Sequence, residues 1–242
     1  MTVFPTSFRP SFLSTLTLGG LVLVFFRLAV WQLDSKAEKE ILVDQFDNAP
    51  TLMLTDAIER EVRFARVTLS GHFDQRSVLL DNKVFRGRAG VNVLTPLLLK
   101  SGQSLLINRG WLPLSPDRRT LPLVPSPTQT ISISGILNTP PISNIQLGEP
   151  DLLNSEEWPK LVTYLDVNTL SDRLGVELLP WVIQMDATDN HGFEDRHWQA
   201  ATMTAAKHGA YAVQWFALAL GAFGCWLMLA LRRSKFQTED KG

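Results

Sequence analysis

Two uninterrupted apolar runs, one near each end of the 242-residue chain, constrain its fold more than any other feature. Phe12 to Leu33 reads FLSTLTLGGLVLVFFRLAVWQL, 22 residues whose one charge is Arg27. Gly209 to Leu231 reads GAYAVQWFALALGAFGCWLMLAL, 23 residues with no charge. As helices, each covers roughly 33 Å, enough for a hydrocarbon layer of about 30 Å. A buried core helix is the rival for the second run, disfavoured by its length and its lack of charge. A cleaved signal peptide is the rival for the first. Its apolar stretch exceeds the roughly 7–15 residues of a signal core, and no small-x-small site precedes Asp34. The two runs therefore read as membrane spans, with the lipid bilayer as a partner.

Composition narrows the remaining classes. Charged residues make up 19% of the chain, where about 25% is usual for a soluble domain. A net charge of -1 speaks against nucleic acid as a partner. One cysteine, Cys225, excludes a disulfide scaffold.

Two spans put both termini on one side of the membrane. The flank Arg232-Arg233-Ser234-Lys235 is basic, and the N-terminal flank carries Arg9 and no acid. Short flanks set orientation, so both ends are expected in the cytoplasm. Residues 1–11 and 232–242 then read as cytoplasmic tails, 12–33 and 208–231 as the spans, and 34–207 as an external domain. In a Gram-negative cell that domain lies in the periplasm and the chain in the inner membrane.

The external segment holds 17 Lys and Arg against 22 Asp and Glu, so it is mildly acidic. It opens with an amphipathic helix candidate, Lys36 to Phe46, stopped by Pro50. Seven strand signals follow: Val62–Leu69, Val78–Val84, Val91–Leu99, Ser104–Asn108, Thr130–Leu137, Lys160–Asp166 and Trp181–Asp186. Val167 to Leu174 reads as a helix ended by Gly175. Asn138 to Pro159 reads as a long loop. Strands mostly follow strands, which predicts a mainly antiparallel β domain, a barrel or sandwich in an α+β setting, flanked by two transmembrane helices.

Catalytic motifs are missing from this segment. It has no G-x-S-x-G elbow, H-E-x-x-H, Walker loop or C-x-x-C. His191 and His197 stand six apart in an acidic stretch that reads as a solvated loop, and His72 reads as structural. Asn108-Arg109-Gly110-Trp111, closed by Pro113, reads first as a turn in which Gly supplies an unusual φ and Trp caps the barrel. Its alternative is that Arg109 meets an anion or a partner.

The second span carries more chemistry. His208 stands at its outer mouth beside Lys207, and His208, Tyr211 and Trp215 share one helical face with Gln214 at its edge. A neutral imidazole is a common axial ligand of haem iron, and aromatic surface suits a porphyrin edge. The competing role for His208 is an interfacial anchor. Arg27 lies near the outer end of the first span. It either snorkels or pairs with a propionate or with the second helix. Trp31 and Gln32 read as an interface belt, Gly19, Gly20, Gly221 and Gly224 as sites of close helix approach, and Cys225 as packing.

Four segments carry a family resemblance. Trp31-Gln32 with Lys39 is similar to the end of a first helix, and Arg66-Val67 through Gly71-His72-Phe73 to an R-V-x-x-x-G-x-F strand. Asn108-Arg109-Gly110-Trp111-Leu112-Pro113 resembles N-R-G-W-x-P, and His208 to Phe216 resembles H-x-x-Y-A-x-Q-W-F. Together they resemble the surfeit locus protein 1 family of cytochrome c oxidase assembly factors. Leu28-Ala29-Val30 departs from the family's Leu-Gly before Trp-Gln, and Ser35 and Glu38 stand where Arg and Trp are usual.

The resemblance implies a non-enzymatic, membrane-anchored chaperone of the respiratory chain. It would help to deliver haem a or to insert it into oxidase subunit one. His208 would be the haem ligand and Tyr211 and Trp215 its packing surface. The external domain would dock subunit one or haem a synthase, with Arg109 and Trp111 as contacts. Two other readings stand beside it: a cofactor-free assembly scaffold, and an external hydrolase built on His72 with Asp74 or Asp81.

Overall fold

In a computed structural model, residues 11–118, 120–141, 157–201 and 203–239 are described, the last eight by their backbone alone. Arg9, the side chains of the 232–235 flank and most of the 138–159 stretch lie outside the described residues. The chain divides into two compact units. One unites residues 1–47 with 199–242, and the other runs from Asn48 to Trp198.

The first unit is a pair of long helices, α1 (Phe12–Asp47) and α4 (Ala205–Glu239). Ser11 begins α1 by accepting the Ser14 N–H at 3.1 Å on its hydroxyl. The amphipathic segment expected as a separate helix over 36–46 is instead the continuation of α1. No Gly or Pro interrupts residues 21–49, so nothing breaks the backbone hydrogen-bond ladder before Pro50. Both helices, 36 and 35 residues long, outreach a bilayer core of about 30 Å at 1.5 Å per residue.

Their seam follows alternating steps of three and four. On α1 the covered positions include Ser14, Leu18, Val22, Phe25, Ala29 and Gln32, and on α4 His208, Ala212, Trp215, Ala219 and Trp226. Phe25 stacks on Trp215 with ring centroids 5.7 Å apart, and Trp226 Nε1 donates to Thr15 Oγ1 at 3.0 Å. Fully covered Ala29 and Ala212 allow close approach. The glycines do not: a Cβ at Gly19, Gly20, Gly221 or Gly224 would meet nothing within 4 Å. Gly19 and Gly20 line an open apolar groove of about 590 Å³ with Phe12, Leu16, Phe223 and Trp226. Cys225 is exposed rather than packed. Only 6% and 11% of the most apolar 18-residue windows of the two helices are buried. A soluble core helix hides its apolar face, so this surface suits lipid.

The second unit is built on seven strands among the described residues: β1 (Arg66–Phe73), β2 (Val78–Phe85), β3 (Arg88–Leu99), β4 (Ser104–Pro113), β5 (Ile131–Asn138), β6 (Lys160–Val162) and β7 (Leu178–Met185). Strand β1 alternates exposed and buried residues along its whole length, the signature of a sheet with one covered face. It pairs antiparallel with β5 and, through Gly71 to Phe73, with Leu97 to Leu99 of β3. The order β1-β5-β7-β4-β3 thus returns to β1 and closes a five-stranded barrel. Strand β2 adds to β3, and β6 runs parallel to β2.

Most pairings are antiparallel, as expected, and β4–β7 is parallel. Val67, Leu69, Leu105, Ile107, Ile133 and Ile183 fill the barrel. Leu106 on the other face of β4 joins Leu80, Leu94 and Val182 beneath α3 (Val167–Leu174). Covered on both faces, β4 is buried from Ser104 to Trp111.

Helix α3 has the predicted bounds. Asp166 accepts the Asn168 and Thr169 N–H groups at 3.0 and 3.4 Å, and Gly175 ends the helix at φ 67°. The short helix α2 (Leu54–Glu59) was not predicted, since its six residues carry no side-chain cap. The strand predicted over 62–69 begins only at Arg66. Glu61 and Phe64 take positive φ and form a turn before it. Only Lys160 to Val162 of the predicted 160–166 strand is paired.

Candidate functional site

The chemistry at the mouth of α4 begins with a cap. Thr204 Oγ1 accepts the Lys207 N–H at 3.4 Å, and Thr204 O accepts the N–H of His208. This places His208 in the first turn, on the seam toward α1, where it is 7% exposed. Its Nδ1 lies 2.8 Å from Gln32 Oε1. A glutamine oxygen accepts only, so Nδ1 donates to it, and in the neutral ring this leaves the lone pair on Nε2. That Nε2 is buried and has no hydrogen-bond partner among the described residues.

A buried, unpartnered ring nitrogen is uncommon, because leaving such a group unsatisfied costs about 1–3 kcal/mol. A neutral imidazole held through Nδ1 is the form that ligates metals through Nε2. Exposed Lys207 brings an ammonium group to the same end, and the stem of Lys36 would lie 3.5 Å from a Cβ at Gly209 while its own ammonium pairs with Glu40 at 3.3 Å.

Gln32 was read only as part of an interface belt. The available signal was two polar residues, Gln32 and His208, at matching places where the two apolar runs meet the central segment. Tyr211 is 46% exposed, and Trp215 is engaged by Phe25. The expected His208, Tyr211, Trp215 face is therefore divided between an open ring and one packed into the seam. The apolar groove near Phe12 and Trp226 lies at the opposite end of the pair, about 27 Å along α4 from His208.

A second constellation lies in the barrel. Between Leu94↔Asn108 and Asn92↔Trp111, β4 has one residue more than β3. Asn108 to Trp111 is therefore a β-bulge inside a strand that continues to Pro113, not the predicted turn. The expected unusual φ is present, with Gly110 at 103°, and Asn108 Oδ1 accepts its N–H at 3.2 Å. A Cβ there would sit 2.5 Å from Glu194 O. The bulge turns both neighbours inward, leaving Arg109 2% and Trp111 1% exposed.

Arg109 Nε donates to His191 O, and its two terminal nitrogens donate to Ser126 Oγ and Pro125 O, each at 2.9 Å. Its guanidinium lies between the rings of Phe73 and Phe193, 4.6 and 4.7 Å from their centroids. Burial pulls its pKa down to about 10, partly opposed by Asp189, so the group remains charged at neutral pH. It ties together β4, the segment around Pro125 and Ser126, and the 189–196 loop.

That loop is pinned, contrary to the solvated reading. Phe193 and Glu194 add backbone hydrogen bonds to Arg109 and Trp111, and Arg196 donates to the carbonyls of Asp186, Asp189 and Phe193. His191 Nδ1 lies 2.9 Å from Asp189 Oδ1, and His197 is exposed.

The residues of the hydrolase reading go to separate partners. His72 Nε2 meets Thr130 Oγ1, Asp74 binds Arg76, and buried Asp81 binds Arg118. Among the described residues no cluster of three His, Cys, Asp or Glu is placed to hold a metal ion.

A search of curated proteins returned no match at the threshold applied. A family model does match: that of the SURF1 family covers residues 20–220, more than four-fifths of the chain, from the first apolar helix through the barrel into the second. With two apolar helices flanking a mainly antiparallel barrel and a match of this extent, the chain belongs to the SURF1 family, whose members are assembly factors of cytochrome c oxidase.

Proposed function

We propose that this chain acts as a haem a chaperone of the bacterial plasma membrane, helping to deliver haem a or insert it into oxidase subunit one without catalysing a reaction itself. The observation that carries this reading is the buried, unpartnered Nε2 of His208. Haem iron, when present, takes a neutral imidazole nitrogen as axial ligand, and the donor chemistry of His208 fits that need. Gln32 holds the ring in the required tautomer through Nδ1.

Tyr211 offers exposed aromatic surface one turn along, with Trp215 backed by Phe25 behind it. Exposed Lys207, and Lys36 on exchanging its partner Glu40, suit the carboxylates of a porphyrin. Because Nε2 is sealed, access requires local opening at the helix mouth. A single protein ligand keeps the affinity exchangeable, which delivery demands. The barrel would face the periplasm and dock subunit one or haem a synthase. Arg109 and Trp111, both buried, would support such docking by shaping the 189–196 loop.

The Gln32–His208 hydrogen bond also favours a second reading, a cofactor-free scaffold in which the pair merely stitches the spans together. Purification from cells that make haem a separates the two. Wild type is expected to carry haem, His208→Ala to lose it, and Gln32→Leu to carry less. Unchanged haem content in His208→Ala would eliminate the ligand role. A haem-free wild type, with equal assembly defects in both variants, would favour the scaffold. Orientation is checked by reporter fusions, with alkaline phosphatase expected to be active in the 115–120 loop and inactive after Gly242.

A further inference from the structure

Arg27 is the one charged residue of the first apolar run. Phe25, Ala29 and Gln32 face α4, and at 100° per residue Arg27 falls on the opposite side of α1. It is exposed, and among the described residues no hydrogen bond, ion pair or ring contact engages it. Leu23 and Val24, 68% and 53% exposed, and Trp31, 58% exposed, surround it. With Leu28 they line a shallow depression of about 490 Å³.

With the helices in a bilayer, Arg27 lies six residues, or about 9 Å, below Leu33. Helical side chains lean toward the helix N-terminus. Snorkelling to the nearer surface must therefore run against that lean, while following it carries the guanidinium toward the bilayer centre. Such a cation is costly in hydrocarbon and calls for a counter-charge at its own depth. A lipid phosphate lies at the surface, whereas a carboxylate on a neighbouring helix can be level with Arg27.

We propose that this outward face of α1 docks a membrane helix of the oxidase under assembly, one that carries a single carboxylate opposite Arg27 and small or apolar residues against Leu23, Val24 and Trp31. The proposal uses membership of the assembly-factor family and is independent of the haem reading.

The test uses the full-length chain in cells making the oxidase. Arg27→Leu and Arg27→Glu are expected to lower assembled oxidase at least five-fold, while Arg27→Lys retains most of it. All three should stay in carbonate-washed membranes at wild-type levels, and purified Arg27→Leu should keep whatever haem the wild type carries. Suppressors of Arg27→Glu should place Lys or Arg where a membrane helix of the oxidase has Asp or Glu.

A photoreactive residue at position 24 should yield an adduct with an oxidase membrane subunit that is lost in Arg27→Glu. Wild-type assembly in Arg27→Leu overturns the proposal. So do adducts with lipid alone, or a fall in the abundance of Arg27→Leu, since leucine favours insertion and such a fall would assign Arg27 to the chain's own fold.

Discussion

Replacing Arg109 with methionine separates a structural strut from a partner contact, because the two roles predict opposite effects on the isolated protein. The side chain makes three hydrogen bonds and lies between two rings. At the lower end for a charged donor, the three bonds contribute about 1.5 kcal/mol each. The two ring contacts add about 1 kcal/mol each. Against this roughly 6.5 kcal/mol, removing the charge relieves a desolvation cost of several kcal/mol. The net loss is about 3 kcal/mol, in line with losses of about 3–5 kcal/mol on breaking a buried charged network.

For a domain of this size, such a loss lowers Tm by roughly 6–12 °C. Thermal unfolding of the full chain in detergent, followed by tryptophan fluorescence, reads it directly. Arg109→Lys keeps the charge but not the planar fork, and should recover less than half of the loss. An unchanged Tm in Arg109→Met, with oxidase assembly abolished, would refute the strut argument and return Arg109 to the surface as a contact.

Gly110→Ala should destabilise by about 2 kcal/mol or more, since it combines a left-handed φ with a clash against Glu194 O. Gly87→Ala, at φ 76° in open space, should cost only about 1 kcal/mol; equal Tm shifts for the two would contradict the bulge argument. Asp166→Ala removes the cap of α3 at a cost of about 1 kcal/mol. The hydrogen bond from Thr169 holds the Asp166 carboxyl below its usual range against the opposing effect of burial. A depressed carboxylate stabilises the fold above its unfolded pKa and loses that contribution as pH falls through its folded value. The wild-type advantage over Asp166→Ala should therefore shrink between melts at pH 6 and pH 2.5.

Much of this molecule could be read along the chain. The two long apolar helices were legible because length and lack of charge, which hydrocarbon demands, are both linear properties. The same holds for α3, whose start and stop are a capping carboxylate and a glycine only a few residues apart. Strand content was legible through short runs rich in β-branched and apolar residues between turn formers.

Other features depended on residues remote in sequence. Barrel closure requires Gly71–Phe73 to meet Leu97–Leu99, and no local pattern encodes that pairing. The bulge at Asn108–Trp111 looked like a turn because its glycine satisfies either geometry. Only the partner strand and the 193–194 loop show that the chain continues straight. Which ring nitrogen of His208 finds a partner depends on Gln32, 176 residues away. A sequence names the groups that can carry protons, lone pairs and charge. Which group is left without a partner follows from the close approach of distant segments, and that is a property of the folded chain.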